Sequence, residues 1–298
     1  MLSKLRHYAF GKCERPLDCG LADGRLAQLL HEQKISASHI KRIVGGTLGL
    51  TYSLQIDERP MVLKTHLTLE GCQNIEKEIA LLHLLYADAS DVRRVVLVDD
   101  QQVRVSLLMD AFKYPQHEFE PDQIRGLTTW YTAEFKQVGK LGVVAPEDTL
   151  STLFVEGVAS LARLYANHAI SQFTHTEVEK NFSILAAQLD RLPVALCHGD
   201  LGPQNIMCQR DAVPVVIDWE DAFWGVEGYD YLYWLTFLSS RKYYVQDLLG
   251  NTPLGKETEI AILVLIVVLK SELSCRIDPH MHRQLSFDQR IAEILALK

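Results

Sequence analysis

Residues 196–207 read Leu-Cys-His-Gly-Asp-Leu-Gly-Pro-Gln-Asn-Ile-Met, and residues 215–220 read Val-Val-Ile-Asp-Trp-Glu; together they decide the fold. This stretch carries Asp200, Asn205 and Asp218 among residues that are otherwise mostly apolar or turn-forming. Oxygen ligands grouped in this way suit Mg²⁺, which binds a few carboxylates together with substrate phosphates. The stretch therefore predicts a site at which a phosphoryl group is transferred.

Short apolar runs at residues 193–197 and 213–217 predict two buried strands joined by a loop. Asp200 would lie on the loop, and Asp218 would follow the second strand directly. The spacing Asp-x-x-x-x-Asn from Asp200 to Asn205 is that of a kinase catalytic loop, in which the aspartate orients the attacking hydroxyl and accepts its proton. In the same scheme Asn205 and Asp218 hold the metal ions. A simpler alternative, that Asp200 and Asn205 only form turns, stays open for either residue alone.

The composition is typical of a soluble globular protein, since 48% of the 298 residues are apolar and 23% are charged. This length allows two modest domains or lobes. A net charge of −8 argues against nucleic-acid binding, which needs a basic footprint. Six cysteines without a C-x-x-C pair favour a reduced, cytoplasmic protein.

Targeting and membrane signals are weak. The first eight residues lack the apolar core of a signal peptide. The most apolar run, residues 260–269, is bounded by charged residues and is much shorter than the ~20 residues that a membrane span needs. We therefore expect no membrane association, and we interpret this run as a buried helix.

A glycine-rich segment contains Gly45, Gly46, Thr47 and Gly49 between two strand-like flanks. A strand, a glycine turn and a second strand would expose backbone N–H groups, which a bound phosphate requires. A plain hairpin has the same pattern and remains the alternative.

Lys64 ends the next apolar strand, from which a lysine can reach the phosphates of ATP. A solvated lysine at a strand end is the alternative. Residues 75–85 repeat apolar side chains at helical spacing. Glu78 neighbours this apolar face and is a candidate partner for Lys64, with Glu76 as its competitor.

Two further strands are predicted at residues 92–98 and 103–109, and the second runs into a turn-prone connector suited to a hinge between lobes. From residue 123 onward the apolar spacing is mainly helical, over 124–138, 150–167, 178–192, 231–238 and a final helix near 291–295.

The segment after Asp218 is rich in acids. Glu220, Asp221 and Glu227 could contact a cationic acceptor, although loop acids are more often simply solvated. Asp230 is a candidate N-cap of the following helix, or a hydrogen-bond partner of the catalytic-loop backbone.

With these residues in view, the chain resembles the aminoglycoside phosphotransferase and choline kinase family over roughly residues 43–238. The resemblance is carried by His198-Gly199-Asp200 with Asn205, by Ile217-Asp218-Trp219-Glu220 and by Tyr229-Asp230. Residues 45–52 look like that family's nucleotide loop, although Leu48-Gly49 stands where many members have a Ser-Asn-like pair. The resemblance implies an α+β, two-lobed protein-kinase-like fold. Residues 1–110 would form a small β-rich lobe with one key helix, and residues 111–298 a larger, mainly helical lobe.

The resemblance also implies an activity, the transfer of the γ-phosphate of ATP to a hydroxyl of a small molecule with Mg²⁺. The acceptor would be an aminoglycoside, an amino alcohol or a sugar. The implied roles are catalytic base for Asp200, metal ligands for Asn205 and Asp218, and phosphate anchor for Lys64 paired with Glu78. Backbone groups of Asp110 and Phe112 would meet adenine, with Met109 beside it.

Two other classes stay open. A protein kinase is disfavoured because no A-P-E-like segment follows Asp218, and because residues 218–230 are too few for a typical activation loop. A regulatory module that binds a nucleotide without turnover would be recognised by tight ATP binding with no consumption of ATP.

Overall fold

The computed structural model describes residues 23–43, 49–66, 69–86, 90–99, 102–138, 142–209, 213–244, 248–250, 252–277 and 285–297. Gly45, Gly46 and Thr47, which the sequence predicts to contact phosphate, lie outside these described residues.

The described residues form two compact units. The first comprises residues 23–116 and 204–221, and the second comprises residues 117–203 and 222–297. The predicted division of the chain at residue 110 stays a prediction. The sequence analysis did not expect one feature of the first unit. Residues 204–221 come late in the chain and yet pack with the N-terminal residues.

An antiparallel sheet of five strands forms the body of the first unit, in the order β1-β2-β3-β5-β4. Its strands are β1 (Ala37–Ile43), β2 (Leu50–Ile56), β3 (Arg59–Thr65), β4 (Val92–Asp99) and β5 (Gln102–Asp110). Residues along β2 alternate between buried and partly exposed, because successive side chains of a strand point to opposite faces. The helix α1 (Asp23–Glu32) contributes Leu26, Leu29 and Leu30 to the core on the buried face.

The other elements follow in chain order. They are α2 (Leu69–Tyr86), α3 (Pro121–Val138), α4 (Leu150–Ala166), α5 (Gln172–Ala186), β6 (Val194–Cys197), β7 (Ile206–Cys208), β8 (Pro214–Val216), β9 (Phe223–Val226), α6 (Tyr229–Leu235), α7 (Lys256–Ile277) and α8 (Phe287–Leu295).

Within the first unit, α2 is joined to the short hairpin of β7 and β8. Ile206 pairs with Val216 across the hairpin, and the Val216 amide donates to the Tyr86 hydroxyl oxygen at 2.9 Å. This bond connects the helix that carries Glu78 to the strand that precedes Asp218.

The second unit is built around α7, whose apolar run from Ile260 to Leu269 is buried as the sequence predicts. Helix α4 approaches it closely at Gly157, where an added Cβ would lie 2.2 Å from the Leu265 Cδ1 atom. A side chain larger than hydrogen therefore does not fit at this position without movement of Leu265.

One prediction about local structure needs correction. Gly228, with a φ of 92°, takes the N-cap position that was assigned to Asp230, and Asp230 lies in the first turn of α6. The two predicted strands around the loop are present as β6 and β8. Strand β6 pairs with β9, and β8 pairs with β7. The partner strands were missed because three or four residues are too few to show a strand pattern. Among the described helices, none combines the length and the apolar character that crossing a membrane requires.

Candidate active site

Lys64 is the centre of a charged cluster in the first unit. Its Nζ atom donates to Glu78 Oε2 at 2.8 Å and to Asp218 Oδ1 at 2.5 Å, and it lies 2.8 Å from Glu220 Oε1. The alternation of β3 turns Lys64 away from the apolar core, and α2 supplies Glu78, whose side chain is 1% exposed. The competing candidate, Glu76, instead accepts a hydrogen bond from Arg94 at 2.7 Å. The predicted contact between Lys64 and Glu78 is therefore present.

Asp218 directly follows β8 and adopts a left-handed backbone with a φ of 68°. Non-glycine residues seldom take this conformation, so the neighbouring structure has to hold it. Its amide donates to Glu78 Oε1 at 2.8 Å, while its side chain contacts Lys64 and is 38% exposed. Glu78 thus fixes both the ammonium of Lys64 and the backbone of Asp218. Asn205 is buried, and its backbone carbonyl oxygen accepts from the amide of Ile217, the residue before Asp218, at 3.0 Å.

The electrostatics of this cluster are dominated by excess negative charge. Burial lowers the pKa of Lys64, but the three carboxylates outweigh it and raise the pKa well above its ordinary value. Burial, together with the charges of Asp218 and Glu220, raises the pKa of Glu78 despite its contact with Lys64. One ammonium therefore does not compensate three carboxylates, and the cluster favours additional positive charge.

His66 is a member of the cluster that the sequence analysis missed. It is 2% exposed, and its Nε2 atom lies 2.9 Å from Glu220 Oε1. Burial raises the pKa of Glu220, yet Lys64 and His66 outweigh it and lower the pKa to about 2. His66 also lies close to Gly49, where an added Cβ would be 3.0 Å from the His66 Nε2 atom. The available signal was its position two residues after Lys64, since such residues share one face of a strand.

The acids that were considered for a cationic acceptor have partners within the chain. Glu220 is held by Lys64 and His66, as described above, and Glu227 accepts from Lys136 Nζ at 2.7 Å. Asp221 is 5% exposed. These contacts give no support to an acidic acceptor pocket made of the three residues.

The predicted hinge residues end β5. Met109 is buried and pairs with Val62, while the Asp110 amide donates to the Asp91 carbonyl oxygen at 3.2 Å. The Asp110 carboxylate accepts from Arg59 at 2.8 Å. Contacts of Met109, Asp110 and Phe112 with adenine stay predictions.

Asp200 lies in the second unit, on the loop that follows β6. It is 5% exposed, its Oδ1 atom accepts a hydrogen bond from the Tyr233 hydroxyl, and its amide donates to His198 Nδ1 at 3.2 Å. Gly199 supplies a φ of 82° at the turn, a conformation that costs glycine little. The loop thus holds the Asp200 carboxylate in a fixed orientation.

Asp230 supports this loop from α6. Its carboxylate accepts the His198 amide at 2.7 Å, the Gly199 amide at 3.0 Å and the Tyr131 hydroxyl at 2.6 Å. The prediction that Asp230 bonds to the catalytic-loop backbone is therefore confirmed. The structure brings Lys64, Glu78 and Asp218 together in the first unit and holds Asp200 in the second.

Three features define a phosphotransferase with a protein-kinase-like fold. They are a strand lysine held by a helix glutamate, an aspartate after a short strand, and a separate His-Gly-Asp loop. The sequence model of the phosphotransferase enzyme family matches residues 39–245, so the chain belongs to that family. The predicted α+β fold class is confirmed.

Several solved structures share the fold. The GDP complex of an aminoglycoside 2′-phosphotransferase-IIIa mutant is 17% identical, with a TM-score of 0.60 over 93% of this chain and 96% of that one. A thermostable aminoglycoside phosphotransferase APH(4)-Ia mutant, in a ternary complex with AMP-PNP and hygromycin B, is 13% identical, with a TM-score of 0.61 and coverage of 93% and 97%.

A choline/ethanolamine kinase family protein from Mesorhizobium loti is 16% identical, with a TM-score of 0.58 and coverage of 92% of each chain. No curated protein sequence matches this chain closely enough to count as a relative. At these identities the structures establish the fold and leave the acceptor open.

Proposed function

We propose that this protein transfers the γ-phosphoryl group of ATP to a hydroxyl group of a small molecule, with Mg²⁺ as its cofactor. The observation that carries the proposal is the Lys64 ammonium between Glu78 and Asp218 at 2.8 and 2.5 Å. In kinases, a strand lysine paired with a helix glutamate fixes the phosphates of ATP, beside an aspartate that binds the metal. Membership of the phosphotransferase family supports the same activity.

The residues fit a magnesium ion by their chemistry. Oxygen atoms of Glu78, Asp218 and Glu220 lie within 4.8 Å of one another, and Mg²⁺ prefers oxygen ligands. The excess of carboxylates over cations in this cluster also favours a divalent cation. Asp218 and Asn205 are the proposed ligands, and the bound ion would neutralise charge on the phosphates.

The chain's own residues divide the remaining work. Lys64 is proposed to hold the phosphates and to stabilise their charge, and Glu78 keeps its ammonium in place. Asp200 is proposed to orient the acceptor hydroxyl and to take its proton. The new bond joins the acceptor oxygen to the γ-phosphorus, the bond to the bridging oxygen of ADP breaks, and ADP leaves. Tyr233 fixes the carboxylate of Asp200 for this role.

The test is magnesium-dependent ADP formation by the purified protein against a panel of aminoglycosides, amino alcohols, sugars and hydroxy acids. We expect Asp200→Asn to lower turnover by about 10²–10⁴-fold, the usual contribution of a positioned base, with nearly unchanged ATP affinity. Asp190→Asn removes an exposed carboxylate of the same unit and should leave turnover unchanged. Full turnover by Asp200→Asn would refute the assignment. Tight ATP binding without ADP formation on any acceptor would favour the module without turnover.

A further inference from the structure

One side of helix α4 is apolar although it faces solvent. Val155 is 68% exposed, Val158 is 47% exposed, and Tyr165 of the same helix is also exposed. Two small residues, Ser151 and Ala162, are exposed in the same series. Scattered apolar residues are ordinary at a protein surface, but a continuous group of them indicates an interaction surface. We call these five residues the α4 face.

The α4 face is a single stripe along the helix. Its residues follow one another at intervals of four, three, four and three positions. These are the intervals of the a and d positions of a coiled coil, at which one helix packs against another. A different side of α4 carries Leu153, Leu161 and Leu164, which are buried within the second unit. The helix therefore has two apolar sides, and only one of them is covered.

The charged side chains of α4 are engaged within the chain. Over Leu150–Ala166 the sequence contains two, Glu156 and Arg163. Arg163 donates to Glu156 and, from Nε, to Glu272 Oε1 at 2.8 Å, while Arg276 donates to Glu156 at 3.0 Å. Glu272 and Arg276 both belong to α7. The charges of α4 thus join it to α7, and the α4 face itself offers no charge to a partner.

This chemistry limits what can cover the α4 face. A helix that lies on a membrane carries lysines and arginines beside its apolar side, where they attract lipid head groups. The single arginine of α4 is already held by two carboxylates. A strongly charged partner would likewise find no opposite charge on the face. An uncharged, apolar helix surface is the occupant that fits, and a second copy of this chain presents one.

The order of large and small residues also suits a second copy. In a twofold dimer the same patch of each subunit meets the other, so the patch has to fit its own reversed copy. When a second α4 runs in the opposite direction with Val158 at the twofold axis, Val155 comes level with Ala162, and Tyr165 comes level with Ser151. Away from the axis, each large side chain then faces a small one, which allows the close packing of a protein interior.

We infer that the α4 face is an interface between two copies of this chain, which pair antiparallel about a twofold axis near Val158. The inference does not depend on the proposed function. A helix of 17 residues is about 25 Å long. An interface of this length belongs to the small class, below about 1,200 Å² in total, whose complexes are weak and reversible. We therefore expect a Kd in the micromolar range.

The experiment measures the mass of the full-length protein in solution. Sedimentation at concentrations of about 1–200 µM should show a reversible dimer. Val155→Glu and Val158→Glu should each weaken the dimer about 10-fold or more, because each brings two carboxylates into an apolar contact. Glutamate favours a helix at least as well as valine, so both variants should fold, as circular dichroism would show. Val103→Glu is the matched control, since Val103 is 62% exposed on β5 of the first unit, and it should dimerise like the wild type.

A charge exchange tests the twofold pairing itself. Val158→Glu and Val158→Lys should each be monomeric at a concentration at which the wild type is dimeric. An equimolar mixture of the two variants should form a heterodimer, because residue 158 of one copy lies beside residue 158 of the other. Neither a lipid surface nor an unrelated protein partner predicts this recovery.

Four results would overturn the inference. They are a wild type that stays monomeric over the whole concentration range, a dimer that Val155→Glu and Val158→Glu leave unchanged, and a mixture of the two charge variants that stays monomeric. The fourth is a monomeric wild type that binds vesicles of phosphatidylcholine and phosphatidylglycerol and loses this binding in Val155→Glu, which would assign the face to a membrane surface. ADP formation enters none of these measurements, so the proposed function stands or fails separately.

Discussion

Replacing Asp230 with asparagine tests how the loop of Asp200 is held. The Asp230 side chain has almost no solvent exposure, at 3%, and its carboxylate accepts three hydrogen bonds. The Oδ2 atom accepts from the His198 amide and the Tyr131 hydroxyl, whereas Oδ1 accepts from the Gly199 amide. An asparagine has a single acceptor oxygen, so it loses at least one bond and turns an NH₂ group towards a buried donor.

The magnitude follows from the kind of bond that is lost. Hydrogen bonds to a charged group contribute about 1.5–3 kcal/mol, and the remaining bonds lose their charge assistance. We therefore expect Asp230→Asn to destabilise the loop by about 2–4 kcal/mol, which corresponds to roughly 30–1,000-fold faster local opening. Asp200 directly follows Gly199, so an opened loop displaces the Asp200 carboxylate. A displacement of about 1 Å in a catalytic group lowers turnover by about 10²-fold.

Two assays read this effect. Hydrogen exchange should show faster exchange at the His198 and Gly199 amides, and ADP formation should show a lower kcat with little change in the KM for ATP. Tyr131→Phe is the matched control, since it removes one bond to Asp230 and leaves both loop amides bonded. If Asp230→Asn kept wild-type exchange at the two amides and wild-type kcat, the reasoning would be refuted.

Three further predictions concern charge, pH and packing. Lys64→Met leaves three carboxylates without their ammonium and should lower the free energy of unfolding by about 3–5 kcal/mol. A denaturant titration measures this change, and the control Lys41→Met, at an exposed position, should change the free energy of unfolding little. Burial raises the pKa of Tyr86 to about 12, so the stability from its neutral hydroxyl is complete below pH 10 and is lost as the pH rises to about 12. Tyr86→Phe should therefore reduce the alkaline loss of stability by about 2–3 kcal/mol, and an equal loss in both proteins would contradict this. Gly157→Ala should cost about 1–3 kcal/mol by overpacking against Leu265, and adding Leu265→Ala should relieve part of that cost, as a double-mutant cycle would show.

Three residues of the lysine cluster were accessible from the sequence because local patterns place them, whereas His66 was missed. Strand alternation, helical spacing and the position just after a strand assign Lys64, Glu78 and Asp218 to their elements. The choice between Glu76 and Glu78 was not accessible, because it depends on how α2 is rotated against the sheet. In the structure Glu76 accepts a hydrogen bond from Arg94, and Glu78 is the partner of Lys64.

The surroundings of the two charged sites were largely inaccessible to sequence analysis. Glu220 was considered as a contact for an acceptor, but it is buried beside Lys64 and His66 and is engaged by these two side chains of the chain itself. The contact of Lys270 with Tyr233 joins residues that are far apart in sequence, and no periodicity reports it. Contacts of this kind depend on tertiary packing rather than on local propensity.

The late segment 204–221 has a consequence for how the protein is made. During synthesis the strands of the five-stranded sheet and helix α2 leave the ribosome long before Val216 and Asp218, which are needed to complete the same unit. A nascent chain that stops at residue 203 would expose the surface of α2 that the hairpin covers and would leave Glu78 without the Asp218 amide, so proteases should degrade it faster than the whole chain. The order of the chain therefore delays completion of the lysine cluster until the loop of Asp200 has been synthesised.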